Sequence, residues 1–356
     1  MSSFLLRYVP LPLIPTEDLI FLTMTMQQLI RNFPAQLHEA AELTVNQQEG
    51  NTITSQPQQV VLVGMGGSGI GAHLVKSLLD PVAGCPVEVL SDYRLPAYVG
   101  PKTLVLGSSF SGNTEETLSA IKVAHERHAA VVGATSGGEL LELCQAHQWP
   151  HVVLPVKAES PRAHLGFSFV AMLKLLHEAG VATRDYTDAI HAAADFLEAE
   201  QNPIQERAAK VAAEMRGYIP LIYADQRLAP VATRLRQQIN ENGKQLAHAA
   251  ALPEMNHNEL VSWLDPTDLM QVTRMIYLES DFDHPRTLRR REVMFTMLPD
   301  GMRKYRVQAQ GSDFLTQMLY LAHLSDWLSW HLANENSIDP FSVSIIERLK
   351  NRIKDA

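Results

Sequence analysis

Two short apolar runs each end in a small, hydroxyl-rich loop. Val60-Val61-Leu62-Val63 leads into Gly66-Gly67-Ser68-Gly69-Ile70-Gly71, and Leu104-Val105-Leu106 leads into Ser109-Phe110-Ser111-Gly112-Asn113-Thr114. A wholly apolar run of this length offers no polar face to water, so it reads as a strand covered on both sides. A glycine–serine turn that then opens a helix presents bare amides and hydroxyls, a setting that suits a phosphate. Glycines at one strand–helix turn are common, but two such loops on neighbouring strands point to a site that holds a phosphate. Neither loop has the G-x-x-x-x-G-K-[ST] pattern, which argues against nucleotide hydrolysis.

The surrounding pattern alternates strand and helix. Strands are expected at 60–64, 87–91, 103–108, 129–133 and 151–154, with helices at 69–80, 113–126, 138–147 and 163–179. Such alternation predicts a parallel sheet flanked by helices, with ligands at the carboxyl ends of the strands. A second cycle is expected after Asn202-Pro203, with strands at 219–223, 270–278 and 305–310. Its helices are expected at 229–240 and 285–297, followed by a long amphipathic helix at 315–332 and a last one at 340–353. The chain therefore divides into an N-terminal arm and helix (1–56), a first lobe (57–200) and a second lobe with C-terminal helices (201–356). The arm is read as extended, with a helix capped by Thr16 and acids in its first turn.

The chain has 356 residues, enough for two α/β lobes. A net charge of −9 argues against a broad nucleic-acid surface. Two cysteines, Cys85 and Cys144, cannot build a disulfide framework, so a reducing cytoplasm is the expected compartment. Pro10, Pro12 and Pro15 interrupt the apolar N-terminal stretch, which argues against a signal peptide. No uninterrupted apolar stretch is long enough to span a bilayer.

The second lobe carries the polar segments Asn240-Glu241-Asn242-Gly243-Lys244 and Met255-Asn256-His257-Asn258-Glu259-Leu260. A carboxylate ending a helix beside Asn-Gly suits a general base on a turn, and a histidine between asparagines suits a proton shuttle. The same residues also suit plain helix capping.

Taken together, GMGGSGIG, SFSGNTEET, SPRAHLG, NENGK, MNHNEL and the C-terminal DPFSVSIIERLK resemble the bifunctional phosphoglucose/phosphomannose isomerase family of SIS (sugar isomerase) proteins. The resemblance runs in the family's order from about residue 16 to the end. It implies two SIS-type lobes and an aldose–ketose isomerase that interconverts glucose 6-phosphate, and mannose 6-phosphate, with fructose 6-phosphate. By the same resemblance, Gly67, Ser68, Ser109, Ser111 and Thr114 bind the sugar phosphate. Glu241 is the base that moves a proton between C1 and C2, and Arg162 lies beside the enediolate. His257 helps to open the ring and is lent by a neighbouring subunit, which implies a homodimer. Lys350 assists at the ring oxygen. No metal or other cofactor is implied, and no nucleic-acid or membrane partner. The family often has Asp-Pro-Thr-Pro where this chain has Asp339-Pro340-Phe341-Ser342. A sensor that binds sugar phosphate without turnover would need the loops but not Glu241 or His257, and a SIS isomerase of another sugar phosphate is a second alternative.

Weaker signals have simpler readings. Cys144, His147 and His151 have something of a metal-ligand spacing but no fourth ligand nearby, whereas structural zinc takes four. Arg286, Arg289, Arg290 and Arg291 suit a solvated or ion-paired helix face, or contact with a partner subunit. Trp327 and Trp330 suit a buried stripe.

Overall fold

The protein is described here by a computed structural model covering residues 24–47, 57–157, 160–263 and 267–354. The arm and the helix start expected at Thr16 lie outside these residues. The first described helices are α1 (Met26–Arg31) and α2 (Phe33–Ala41). Thr25 and Gln28 close a reciprocal capping box on α1, which satisfies two otherwise orphaned amides.

The first lobe is built on β1 (Gln59–Val63), β2 (Val87–Leu90), β3 (Thr103–Ser109), β4 (Ala130–Thr135) and β5 (His151–Val153). All pair in parallel, in the order β2-β1-β3-β4-β5. Every residue of β3 and all but the first of β1 are buried, the pattern of a parallel sheet covered on both faces. Around them lie α3 (Gly66–Leu79), α4 (Glu115–Glu126), α5 (Gly138–Ala146) and α6 (Leu165–Glu178). The strand order changes direction between β1 and β3. Both serine loops sit at the carboxyl ends of these two strands, where open α/β sheets bind ligands.

Two helices not anticipated from sequence follow, α7 (Thr187–Ala199) and α8 (Gln201–Met215). Asn202-Pro203 lies in the first turn of α8, where the missing proline amide has no intrahelical partner to lose. The second sheet contains β6 (Ile219–Asp225), β7 (His248–Leu252), β8 (Thr273–Glu279) and β9 (Lys304–Gln308). Its order, β7-β6-β8-β9, is again all parallel and repeats the plan of the first four strands of the first sheet. Its helices are α9 (Ala229–Glu241), the short α10 (Thr267–Val272), α11 (Pro285–Met297), α12 (Phe314–Glu335) and α13 (Ser344–Lys354).

Three expectations change. β7 was not anticipated: its His-Ala-Ala-Ala-Leu sequence has little strand preference, and pairing with β6 makes it a strand. The strand expected from Met270 starts only at Thr273, after α10. α12 is not amphipathic; it is buried on nearly every side and packs against α8 and α9. A helix apolar all round belongs inside a core. No helix among the described residues is long and apolar enough to cross a membrane.

One charged residue of α12 is buried with its partners. Asp326 accepts hydrogen bonds from Arg234 and Gln238 of α9, each at 2.7 Å. Burial raises the Asp326 pKa, and Arg234 opposes that rise. Removing one member of a buried pair strands the other charge, at a cost of about 3–5 kcal/mol. Asp326→Ala should therefore lower stability in urea by about that amount. A loss under about 1 kcal/mol would show that the pair contributes no more than a surface bridge.

Candidate active site

The first serine loop leaves β1 and forms the opening turn of α3, with Ser68 buried. A Cβ on Gly67 would lie 3.2 Å from the Pro161 carbonyl oxygen and 3.3 Å from the Arg162 Cα. Loop and turn thus pack backbone to backbone. In the second loop, the Ser109 and Thr114 hydroxyls are 2.8 Å apart. Gly112 takes a φ of +68°, and a Cβ there would lie 1.7 Å from the Gly137 carbonyl oxygen. Only glycine closes this loop. Ser111 is exposed, and Thr114 opens α4 without using its hydroxyl as a cap. Ser111, Asn113 and Thr114 line a cavity of about 270 Å³ together with Lys350 of α13. The structure therefore brings Lys350 to the serine loop.

In the second lobe, the turns after β6 and β8 stand where the serine loops stand in the first. The strand ends and turns there carry Asp225, Asp281 and Asp283 together with Arg227 and Ser280, whose hydroxyl donates to Gln317 Oε1 at 2.7 Å. Burial, together with the charges of Asp225 and Asp281, pushes the Asp283 carboxyl up to about 7.

Arg162 lies in a 3-10 turn, Pro161–His164, and is 6% exposed. Its Nη2 donates to the carbonyl oxygens of Pro340 at 2.7 Å and Phe341 at 3.0 Å. Its Nη1 faces the Glu241 carboxylate at 3.7 Å. Burial lowers the Arg162 pKa and Glu241 raises it; a guanidinium remains charged at any working pH. Glu241 is the last residue of α9, which runs back from the carboxyl end of β6. It therefore emerges at the amino edge of the second sheet, against the first lobe's turn. With Asn240, Lys244, Ser342 and Ile346 it lines a cavity of about 600 Å³. Its side chain is 30% exposed, open enough to meet a ligand. Lys244, to which the sequence reading gave no role, donates to the Glu241 carbonyl oxygen at 2.5 Å. Burial lowers its pKa, with Arg162 adding to the effect. The available signal was its place at the end of the Asn-Glu-Asn-Gly-Lys segment.

The cavity at Glu241 and the cavity at Ser111, Thr114 and Lys350 share no lining residue, and His257 lines neither. Glu241 precedes β7 and the exposed His257 follows it. His257 closes the 3-10 turn Glu254–His257 that follows the strand. Among the described residues no cluster of three or more His, Cys, Asp or Glu could hold a metal. Cys144 is buried, its thiol pushed up to about 12 by desolvation, and the His147 ring stacks on Trp149.

Residues 53–142 match the SIS domain family, and residues 204–353 match the bacterial phospho-glucose isomerase C-terminal SIS domain. A bifunctional phosphoglucose/phosphomannose isomerase of Aquifex aeolicus is 36% identical over 297 residues, 83% of this chain and 90% of the relative. One from Caldicellulosiruptor bescii is 31% identical over 338 residues, 93% of this chain and 99% of the relative. The chain belongs to the bifunctional phosphoglucose/phosphomannose isomerase family.

The fold of this family member agrees with a solved structure. The C-terminal domain of glucosamine-fructose-6-phosphate aminotransferase from Francisella tularensis superposes with a TM-score of 0.72 at 14% identity. It covers 89% of this chain and 98% of the solved one. At that identity the match speaks to the fold alone. If the serine loops hold the substrate anion, each lost hydroxyl removes a hydrogen bond to a charged group, worth about 1.5–3 kcal/mol. Ser111→Ala and Thr114→Ala should each raise KM for a sugar phosphate about tenfold or more and change kcat little. An unchanged KM in both variants would place the phosphate elsewhere.

Proposed function

We propose that this protein interconverts glucose 6-phosphate, and mannose 6-phosphate, with fructose 6-phosphate through an enediol intermediate. The observation that carries the reading is the Glu241 carboxylate facing the buried Arg162 guanidinium at 3.7 Å, in a turn packed on the first serine loop. The names of the relatives at 36% and 31% identity support the same reaction.

The roles are those the family resemblance implies, and each suits the chemistry of its residue. Gly67, Ser68, Ser109, Ser111 and Thr114 hold the phosphate. Glu241 removes the proton from C2 of the open-chain aldose and returns it to C1, so one carboxylate serves both directions. Arg162 stabilises the enediolate oxygen with a fixed positive charge. Lys350 and His257 serve ring opening, His257 being a group that exchanges a proton near neutral pH. As the family resemblance implies, a complete site takes its histidine from a second subunit, and the working form is a homodimer. The enzyme acts in the cytoplasm, in glycolysis and gluconeogenesis, and needs neither metal nor other cofactor. A sensor without turnover is disfavoured by the presence of the carboxylate–guanidinium pair beside an open cavity.

Glu241→Gln keeps the shape and removes the base. It should lower kcat for both sugar phosphates by about 10²–10⁴-fold while KM changes little. Isomerisation in deuterated water should label C2 of the aldose with the wild-type enzyme, and this exchange should vanish in the variant. Near-normal turnover and exchange would refute the base assignment, leaving Glu254 and Glu259 to be tested.

A further inference from the structure

We infer that Asn242 is a positioning residue for the isomerisation: it aims the Arg162 guanidinium at the reacting oxygens while leaving its charge unspent. The inference rests on the proposed roles of Glu241 and Arg162.

Asn242 directly follows Glu241 and is fully buried. Its backbone amide donates to the Gln238 carbonyl oxygen at 2.8 Å and so continues α9 by one residue. Its side-chain oxygen accepts from Arg162 Nε at 2.9 Å. Its side-chain amide donates to the Ser329 hydroxyl of α12 at 2.9 Å, and that hydroxyl donates to the Asp326 carbonyl oxygen at 2.7 Å. The amide is thus held from both sides and cannot rotate without losing a buried hydrogen bond. Arg234 adds a further tie by donating to the Arg162 carbonyl oxygen at 3.3 Å.

A guanidinium has five N–H donors. Asn242 engages the Nε hydrogen, and the Pro340 and Phe341 carbonyl oxygens engage Nη2. Nη1 is left facing Glu241, too far from the carboxylate for a direct hydrogen bond. All three fixed acceptors are neutral. They orient the cation without neutralising it, whereas a carboxylate at position 242 would keep the geometry and cancel the charge. Preorganised charge of this kind works because it needs no reorganisation during the reaction. Consecutive residues therefore supply the base and the aim of the cation, so the Glu241–Arg162 geometry is set by one short stretch of backbone.

The test compares wild type, Asn242→Ala and Asn242→Asp, with kcat and KM measured for fructose 6-phosphate per mole of folded protein. Asn242→Ala frees the guanidinium and should lower kcat about 10–100-fold with KM changed less than about threefold. Asn242→Asp keeps an acceptor for Nε but pairs the cation. It should also lower kcat, and it should raise the acid limb of the kcat/KM profile, because it adds a negative charge beside Glu241. The groups facing that carboxylate are Arg162 and Lys244, and those facing Arg162 are Glu241, Arg234, Asp326 and Asp339. A purely structural role would lower melting temperature without moving the acid limb. If Asn242→Ala does not fold, Asn242→Asp carries the test alone. Wild-type kcat and an unmoved acid limb in folded Asn242→Asp would overturn the inference. A wild-type protein that does not isomerise fructose 6-phosphate would instead overturn the functional reading on which it rests.

Discussion

The buried guanidinium of Arg162 joins the two lobes. It belongs to a first-lobe turn that packs on the first serine loop. Its hydrogen bonds run to second-lobe and C-terminal groups: Asn242, Pro340 and Phe341. Taking a charge out of water is costly unless hydrogen bonds replace the lost solvation. Here the replacements come from three separate places in the chain, so the charge is satisfied only when both lobes and the C-terminal segment are docked. The same requirement brings Glu241 to the first lobe, because Glu241 and Asn242 are consecutive. Folding energy and site geometry thus depend on one set of contacts.

The two lobes share a strand plan but differ at the ends of their central strands. The first places glycines and hydroxyls there, and the second places Asp225, Asp281 and Asp283. The second lobe contributes from its opposite edge, through the end of α9. The proposed division follows from this arrangement: the first lobe grips the phosphate, and the second supplies the base.

Much of this was legible in the sequence. β1 and β3 stood out for the apolar runs Val60–Val63 and Leu104–Leu106 that they contain, and their loops because small residues are needed where backbones touch, as at Gly67 and Gly112. Glu241, Arg162 and Lys350 came from motif resemblance, and the structure puts Glu241 beside Arg162 and Lys350 beside the serine loop. β7 escaped because three alanines carry almost no strand signal, and its state is decided by pairing with β6. The buried character of α12 escaped because its polar residues, Asp326 and Ser329 among them, face partners distant in sequence. The partners of Asn242 were invisible for the same reason: a hydrogen bond spanning 80 residues leaves no local pattern.

The central claim is that catalysis needs Glu241 from one subunit and His257 from another. It is tested most directly by co-expressing Glu241→Ala and His257→Ala chains with different affinity tags and isolating the mixed dimer. Each parent homodimer should be inactive. The mixed dimer holds one site with both residues intact and should recover up to about half of wild-type turnover, the share expected of one working site in two. A mixed dimer of verified composition with no activity above its parents would contradict the account, as each site would then be built from a single chain.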